Sequence, residues 1–249
     1  MSHALQENGQ KATRALPFGT APSGIFGAMP GEAFAAMANV IRHNFAARAS
    51  VSDTAMELVD GRMFDPFNPD IEALSIDVIS QSLANACRFG GQIRHFYSTA
   101  QHSVLVALLA PKDMPAQRAA LLHDGDETVG LPDMITPVKA VFTGFKTAQN
   151  RIGDLIARRY GFTHADHMRI KPADSEALAT EKRTFKNPKN AAYWERWSNG
   201  QVPADWLEIV PLDPGPARDL FLAAWARVDG EGKPIDRDWI AGQPGFRLL

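Results

Sequence analysis

Apolar residues recur along this chain with the period of an α-helix, and almost nowhere with the alternation of a half-buried strand. From Ile76 to Arg88, the residues Ile76, Ile79, Leu83 and Cys87 fall on one helical face, and Gly90-Gly91 ends the pattern. The next helix is predicted over Ser98–Ala110, with Ser98 or Thr99 as its N-cap and Pro111 after its end. Pro115 stands in the first turn of a third helix, which runs to His123. A fourth lies within Val138–Tyr160, starting near Phe145 and closed by Gly161. A fifth covers Ala173–Lys186, directly after Pro172, which leaves 161–172 as a loop. The last clear helix is Pro214–Val228, with Ala217, Leu220, Phe221, Ala224 and Trp225 on its apolar face.

Asp60-Gly61 predicts a turn within a short hairpin or irregular entry over Val51–Pro69. Glu32–Ala47 carries Phe34, Met37, Ala38, Ile41 and Phe45 at helical spacing and fits a packing arm. Residues 1–30 are rich in Gly, Pro, Ala and Ser and have no period. The expected fold class is all-α. It divides into a partly flexible N-terminal extension (1–51), a helical domain (52–230) and a C-terminal tail (231–249).

Composition narrows the picture. A net charge of −2 over 249 residues offers no broad basic field, so a nucleic acid polymer is not an expected partner. The single cysteine, Cys87, fits a reducing compartment and reads as a small buried hydrophobe. The longest apolar helical run, near Val104–Ala110, is far short of the roughly 20 residues that span a bilayer. The N-terminus has no basic segment followed by an apolar one. A soluble, cytoplasmic protein is expected, and the long arm and apolar helix faces fit a homo-oligomer.

Four residues read as metal ligands. His102 lies in the first turns of its helix, His123 and Asp124 end the next, and Asp174 opens a later one. Adjacent His and Asp side chains reach one ion only where the backbone turns sharply, and Gly125 permits such a turn. Singly, each residue is ordinary. Together, two imidazoles and two carboxylates make a mixed nitrogen and oxygen set that leaves positions for water and a phosphate oxygen. Glu127, three residues after Asp124, is placed to act as a general acid or base. Asp133 lies in a loop stiffened by Pro132 and Pro137, and Lys139 follows as a point charge for phosphate. Arg88 and Phe89, at the Gly-Gly break, supply a phosphate fork and an aromatic face.

The order Arg88-Phe89-Gly-Gly, Tyr97-Ser-Thr-Ala-Gln-His102-Ser, Leu-Leu-His123-Asp124-x-x-Glu127, Asp133-x-x-x-Pro137-Val-Lys139 and Ala-Asp174-x-x-Ala-Leu-x-Thr-Glu181 resembles the HD-domain phosphohydrolases. It is nearest to their branch of 5′-deoxyribonucleotidases and related nucleotide phosphohydrolases. The likeness runs from about Asp60 to Val228 and is most specific from Arg88 to Lys139. It implies a helical bundle around one divalent metal ion: Co, Mn, Zn, Ni, Fe or Mg. The implied ligands are His102, His123, Asp124 and Asp174. Glu127 and Asp133 are the implied catalytic carboxylates, and Arg88, Phe89, Lys139 and Tyr97 the substrate contacts. The chain departs from the pattern in one extra residue between Glu127 and Asp133, in its N-terminal extension, and in His164-x-x-His167, which falls in the expected loop.

The expected partner is a nucleotide substrate and the expected activity is release of phosphate, first from 5′-deoxyribonucleoside monophosphates. Three alternatives stand: a deoxynucleoside triphosphate triphosphohydrolase, a di-iron oxygenase using His164 and His167 for a second metal, and an inactive nucleotide-binding module.

Overall fold

A computed structural model describes residues 52–132, 143–195 and 197–249. The expected arm helix at Glu32–Ala47, Asp133 and Lys139 lie outside the described residues.

The hairpin forms as expected. Strand β1 (Met56–Glu57) pairs antiparallel with β2 (Met63–Phe64), and Gly61 takes the positive φ of the turn at 82°. Helix α1 (Ile76–Asn85) starts at Ser75, whose hydroxyl accepts from Val78 N, and buries Val78, Ile79, Leu83 and Ala84. It stops earlier than the apolar spacing suggests. Ala86 and Cys87 are extended, and Cys87 bridges to Ser98, half-buried rather than on a helix face. Two short segments drawn together across a β-bridge satisfy their backbone groups without a helix, which periodicity cannot foresee.

Helix α2 (Thr99–Leu109) is the centre of the bundle. Every residue from Thr99 to Leu108 is buried, and the helix touches α1, α3 (Met114–Leu122), α5 (His164–Phe185) and α7 (Pro214–Trp225). Ser98 caps α2 and Asp113 caps α3, with Pro115 in its first turn. Helix α4 (Thr143–Tyr160) ends at Gly161, φ 70°. A short α6 (Ala191–Glu195) follows α5.

Two expectations are corrected. The segment 161–172 is not a loop. Thr163 and Asp166 form a reciprocal capping box, so α5 begins at His164 and carries Pro172 inside it. The carbonyl that Pro172 leaves without a donor belongs to Met168, whose side chain is 54% exposed, on the wet side of the helix. Nor do residues 231–249 form a C-terminal tail apart from the domain. They supply α8 (Arg237–Ile240) and β4 (Phe246–Leu248), and β4 pairs antiparallel with β3 (Leu207–Ile209). Buried Gln101, beside His102, anchors this region. Its amide donates to the carbonyls of Val210 and Gly245, both at 2.9 Å, and its oxygen accepts from Leu212 N at 3.0 Å. The described residues are thus mostly helical with two small two-stranded sheets. Among them, no helix is long and apolar enough to cross a membrane.

Candidate metal centre

Three helices deliver four side chains to one point. His102 comes from the first turns of α2, where it is fully buried, and His123 is the C-cap of α3. Asp124 follows at φ −100°, ψ 6°, and this is where the chain turns. Gly125 is needed for a different reason from the one expected: a Cβ there would lie 3.0 Å from Ile156 Cδ1 and 3.5 Å from Ile79 Cγ2. The glycine lets the turn sit flush on the core. Asp174 does not open a helix but stands midway along α5.

The donors converge. His102 Nε2, His123 Nε2 and an Asp174 oxygen lie within 4.8 Å of one another. His102 Nε2 is 3.3 Å from His123 Nε2, 3.4 Å from Asp174 Oδ1 and 3.6 Å from Asp124 Oδ2. His123 Nε2 is 3.3 Å from Asp124 Oδ1 and 3.8 Å from Asp174 Oδ1.

The outer contacts set the tautomers. His123 Nδ1 donates to Ala120 O at 2.8 Å, and His102 Nδ1 donates to Glu181 Oε1 at 2.5 Å. Each ring therefore carries its proton on Nδ1 and turns an Nε2 lone pair toward the other, with two carboxylates alongside. Acceptors gathered this closely require a positive charge between them, so the residues fit a divalent ion. The electrostatics agree. Burial disfavours a charged His102, as does Arg88, but Glu181 and Asp174 overcome both and push it up to about 9. Burial holds His123 below its ordinary value. Burial works against ionised Asp124 and Asp174, yet the imidazoles hold Asp124 low and Asp174 well below the usual carboxylate range.

Glu181 is the residue that sequence reasoning passed over. It appears in the quoted motif but received no role, although it sits seven residues after Asp174 on the same helical stripe. It is fully buried, and Arg88 donates to its Oε2 at 3.0 Å while also reaching Asp124 Oδ2 at 3.4 Å. Burial opposes its ionisation, but Arg88 and His102 keep it charged. Arg88 is correspondingly held in its charged form against burial, and its Nε is buried without a hydrogen-bond partner.

Glu127 is half-buried in the 3-10 turn Gly125–Glu127, its N–H donating to Asp124 O at 3.1 Å. Phe89 adopts φ 59°, ψ 26°, a left-handed conformation that costs a non-glycine residue about 1 kcal/mol. This sets its ring beneath the Lys186 ammonium, 4.1 Å from the centroid, beside a cleft of about 500 Å³ bounded by Gly91, Arg94, Phe185, Asn187 and Asn190. Tyr97 was expected to meet a substrate. It is instead fully buried, its ring 4.7 Å from that of Phe185, and offers a ligand no surface. His164 and His167 lie on the first turn of α5, His164 exposed and His167 half-buried. The His167 ring is 6.5 Å from that of His123, and burial, then Lys171 and His123, lower His167 to about 4.

The fold and site define a mostly helical protein with a His-His-Asp cluster able to hold a metal ion. No protein-family model matches the chain. It is 33% identical over 160 residues to the uncharacterized protein YfdR of Escherichia coli (strain K12), covering 64% of this chain and 85% of that one. It is also 37% identical over 112 residues to an uncharacterized protein of Rhodobacter capsulatus, covering 42% of this chain and 57% of that one. The chain belongs to the family of YfdR.

Proposed function

We propose that the protein is an HD-domain phosphohydrolase that removes phosphate from nucleotides, with 5′-deoxyribonucleoside monophosphates as the first candidates. The observation that carries this reading is the meeting of His102, His123 and Asp174 within 4.8 Å, with Asp124 alongside and Arg88 against it. His102, His123, Asp124 and Asp174 would hold one divalent ion, which supplies charge to a phosphate oxygen and acidity to a water. The chain's own groups do the rest. Arg88, 17% exposed, offers guanidinium N–H donors at the edge of the cluster. Glu127, on the same turn as Asp124, holds or moves the proton of the attacking water. Phe89 and the cleft beside it receive the nucleoside, which accounts for the strain kept at Phe89. Holding the phosphate in line between these groups accounts for most of the expected rate.

The test is incubation of the metal-loaded protein with a panel of nucleotides, measuring phosphate and nucleoside. Glu127→Ala should keep its metal and lose turnover by about 10²- to 10⁴-fold. Release of phosphate from none of the nucleotides, with metal bound, would overturn the reading.

A further inference from the structure

Helix α5 carries more chemistry than two carboxylates. His167, Lys171, Asp174 and Glu181 are separated by four, three and seven residues and share one face. That face looks onto the metal centre. Lys171 Nζ is 3.3 Å from Asp174 Oδ2, and the His167 ring lies 6.5 Å from that of His123. The exposed His164 ring lies nearly parallel to that of His167, with centroids 6.3 Å apart and planes 6° from parallel. Across the cluster, Arg88 reaches Asp124 Oδ2. Two cationic side chains therefore stand on different carboxylates of one site.

Their situations differ. Arg88 is 17% exposed and fixed on buried Glu181, whereas Lys171 is 44% exposed and pairs with the outer oxygen of Asp174. An ammonium on a flexible stem can turn from that oxygen to an incoming anion, which a guanidinium locked between two carboxylates cannot do. His167, as a neutral imidazole, adds one N–H donor without charge.

We infer that His167 and Lys171 form the far wall of the anion subsite and hold the oxygens of a phosphate between themselves and Arg88. This rests on the phosphate reading of the site. It assigns substrate contact to two residues outside the motifs from which that reading came, and it places the phosphate along the N-terminal half of α5, with the nucleoside cleft at the other end.

The test uses inorganic phosphate as the probe, titrated into full-length protein loaded with Mn²⁺. Lys171→Ala should weaken phosphate binding about tenfold or more, as expected for one lost charge-assisted contact, with metal content and melting temperature unchanged. Lys171→Arg should stay within about threefold of the parent, because a cation is restored. His167→Ala should weaken binding about threefold to tenfold, and Arg169→Ala, which removes a cation paired with Asp113 on the outer face of α5, should leave it unchanged. Parent-like phosphate binding in both Lys171→Ala and His167→Ala would overturn the wall. So would loss of metal in these variants, since they would then be supporting Asp174 rather than touching phosphate. The two readings fail separately. Nucleotide turnover with parent-like variants sinks the wall alone, whereas Lys171-dependent phosphate binding without any nucleotide turnover sinks the proposed function and keeps the wall.

Discussion

Replacing Glu181 with Gln separates orientation from charge at the centre of this site. The side chain keeps its shape, and the amide oxygen can still accept from His102 Nδ1. The amide NH₂ must then face the Arg88 guanidinium, donor against donor, where the carboxylate accepted at 3.0 Å. Both groups are shielded, with the Glu181 side chain fully buried and Arg88 17% exposed. Breaking a buried ion pair by removing one partner costs about 3–5 kcal/mol. Arg88 retains Asp124 at 3.4 Å, so the lower end, about 3 kcal/mol, is expected. For a domain of this size that is a fall of about 6–12 °C in melting temperature. Metal affinity should fall as well. The negative charge that raises the basicity of His102 is gone, and such losses typically cost about 10- to 100-fold. Calorimetric titration of Mn²⁺ and a thermal melt read the two effects independently. Parent-like metal affinity together with a parent-like melt would refute the argument that the Glu181 charge raises the basicity of His102 and neutralises Arg88.

Two further substitutions test the supports around the site. Gly125→Ala places a methyl 3.0 Å from Ile156 Cδ1, so Ile156 must yield; a loss of about 1 kcal/mol, or 2–4 °C in a thermal melt, is expected. Gln101→Leu removes three hydrogen bonds and takes their side-chain partner from the Val210 carbonyl and the Leu212 N–H, while Gly245 O keeps the N–H of Val210 at 2.9 Å. It should cost about 3 kcal/mol, and hydrogen exchange should accelerate in Leu207–Ile209 and Phe246–Leu248 while the middle of α1 stays protected.

The helices were legible because their signals are local. Caps such as Ser98 and Asp113, Pro115 in a first turn and Gly161 after a last one act within a few residues. The misplacements have equally local causes. Gly161 and Pro172 together read as loop punctuation, but the Thr163–Asp166 capping box outweighs one proline whose orphan carbonyl lies on an exposed face. Cys87 continues an apolar period past the true end of α1, because the bridge to Ser98 is a pairing across eleven residues that no window detects. Of the site, the four donors stood out by residue type, and the structure brings them together. Glu181 did not, since a buried glutamate is recognised by its partners, Arg88 and His102, which lie 93 and 79 residues away. The stripe it shares with Asp174 was the available clue. Tyr97 was misjudged in the opposite direction, because its aromatic face is spent on Phe185.

Charge at this centre ties the metal to the anion. Three carboxylates, Asp124, Asp174 and Glu181, meet two cationic side chains, Arg88 and Lys171. With both imidazoles neutral, the cluster carries one negative charge and repels phosphate. A proton on His102 only cancels it, whereas a divalent ion reverses it to one positive. Two unit charges at about 4 Å interact by about 4 kcal/mol at the effective dielectric of a protein site. His102, raised to about 9, carries that proton at neutral pH without a metal, so the ion adds one positive charge to a neutral cluster and should change phosphate affinity by about 100-fold after solvent has weakened the effect. Phosphate titrated into metal-free protein should give no measurable binding at concentrations that saturate the Mn²⁺-loaded form. By linkage, phosphate should tighten Mn²⁺ binding by the same factor. Equal phosphate affinity with and without the metal would mean that the anion is held elsewhere, and that the His102–Asp174 cluster is not the site of phosphate chemistry.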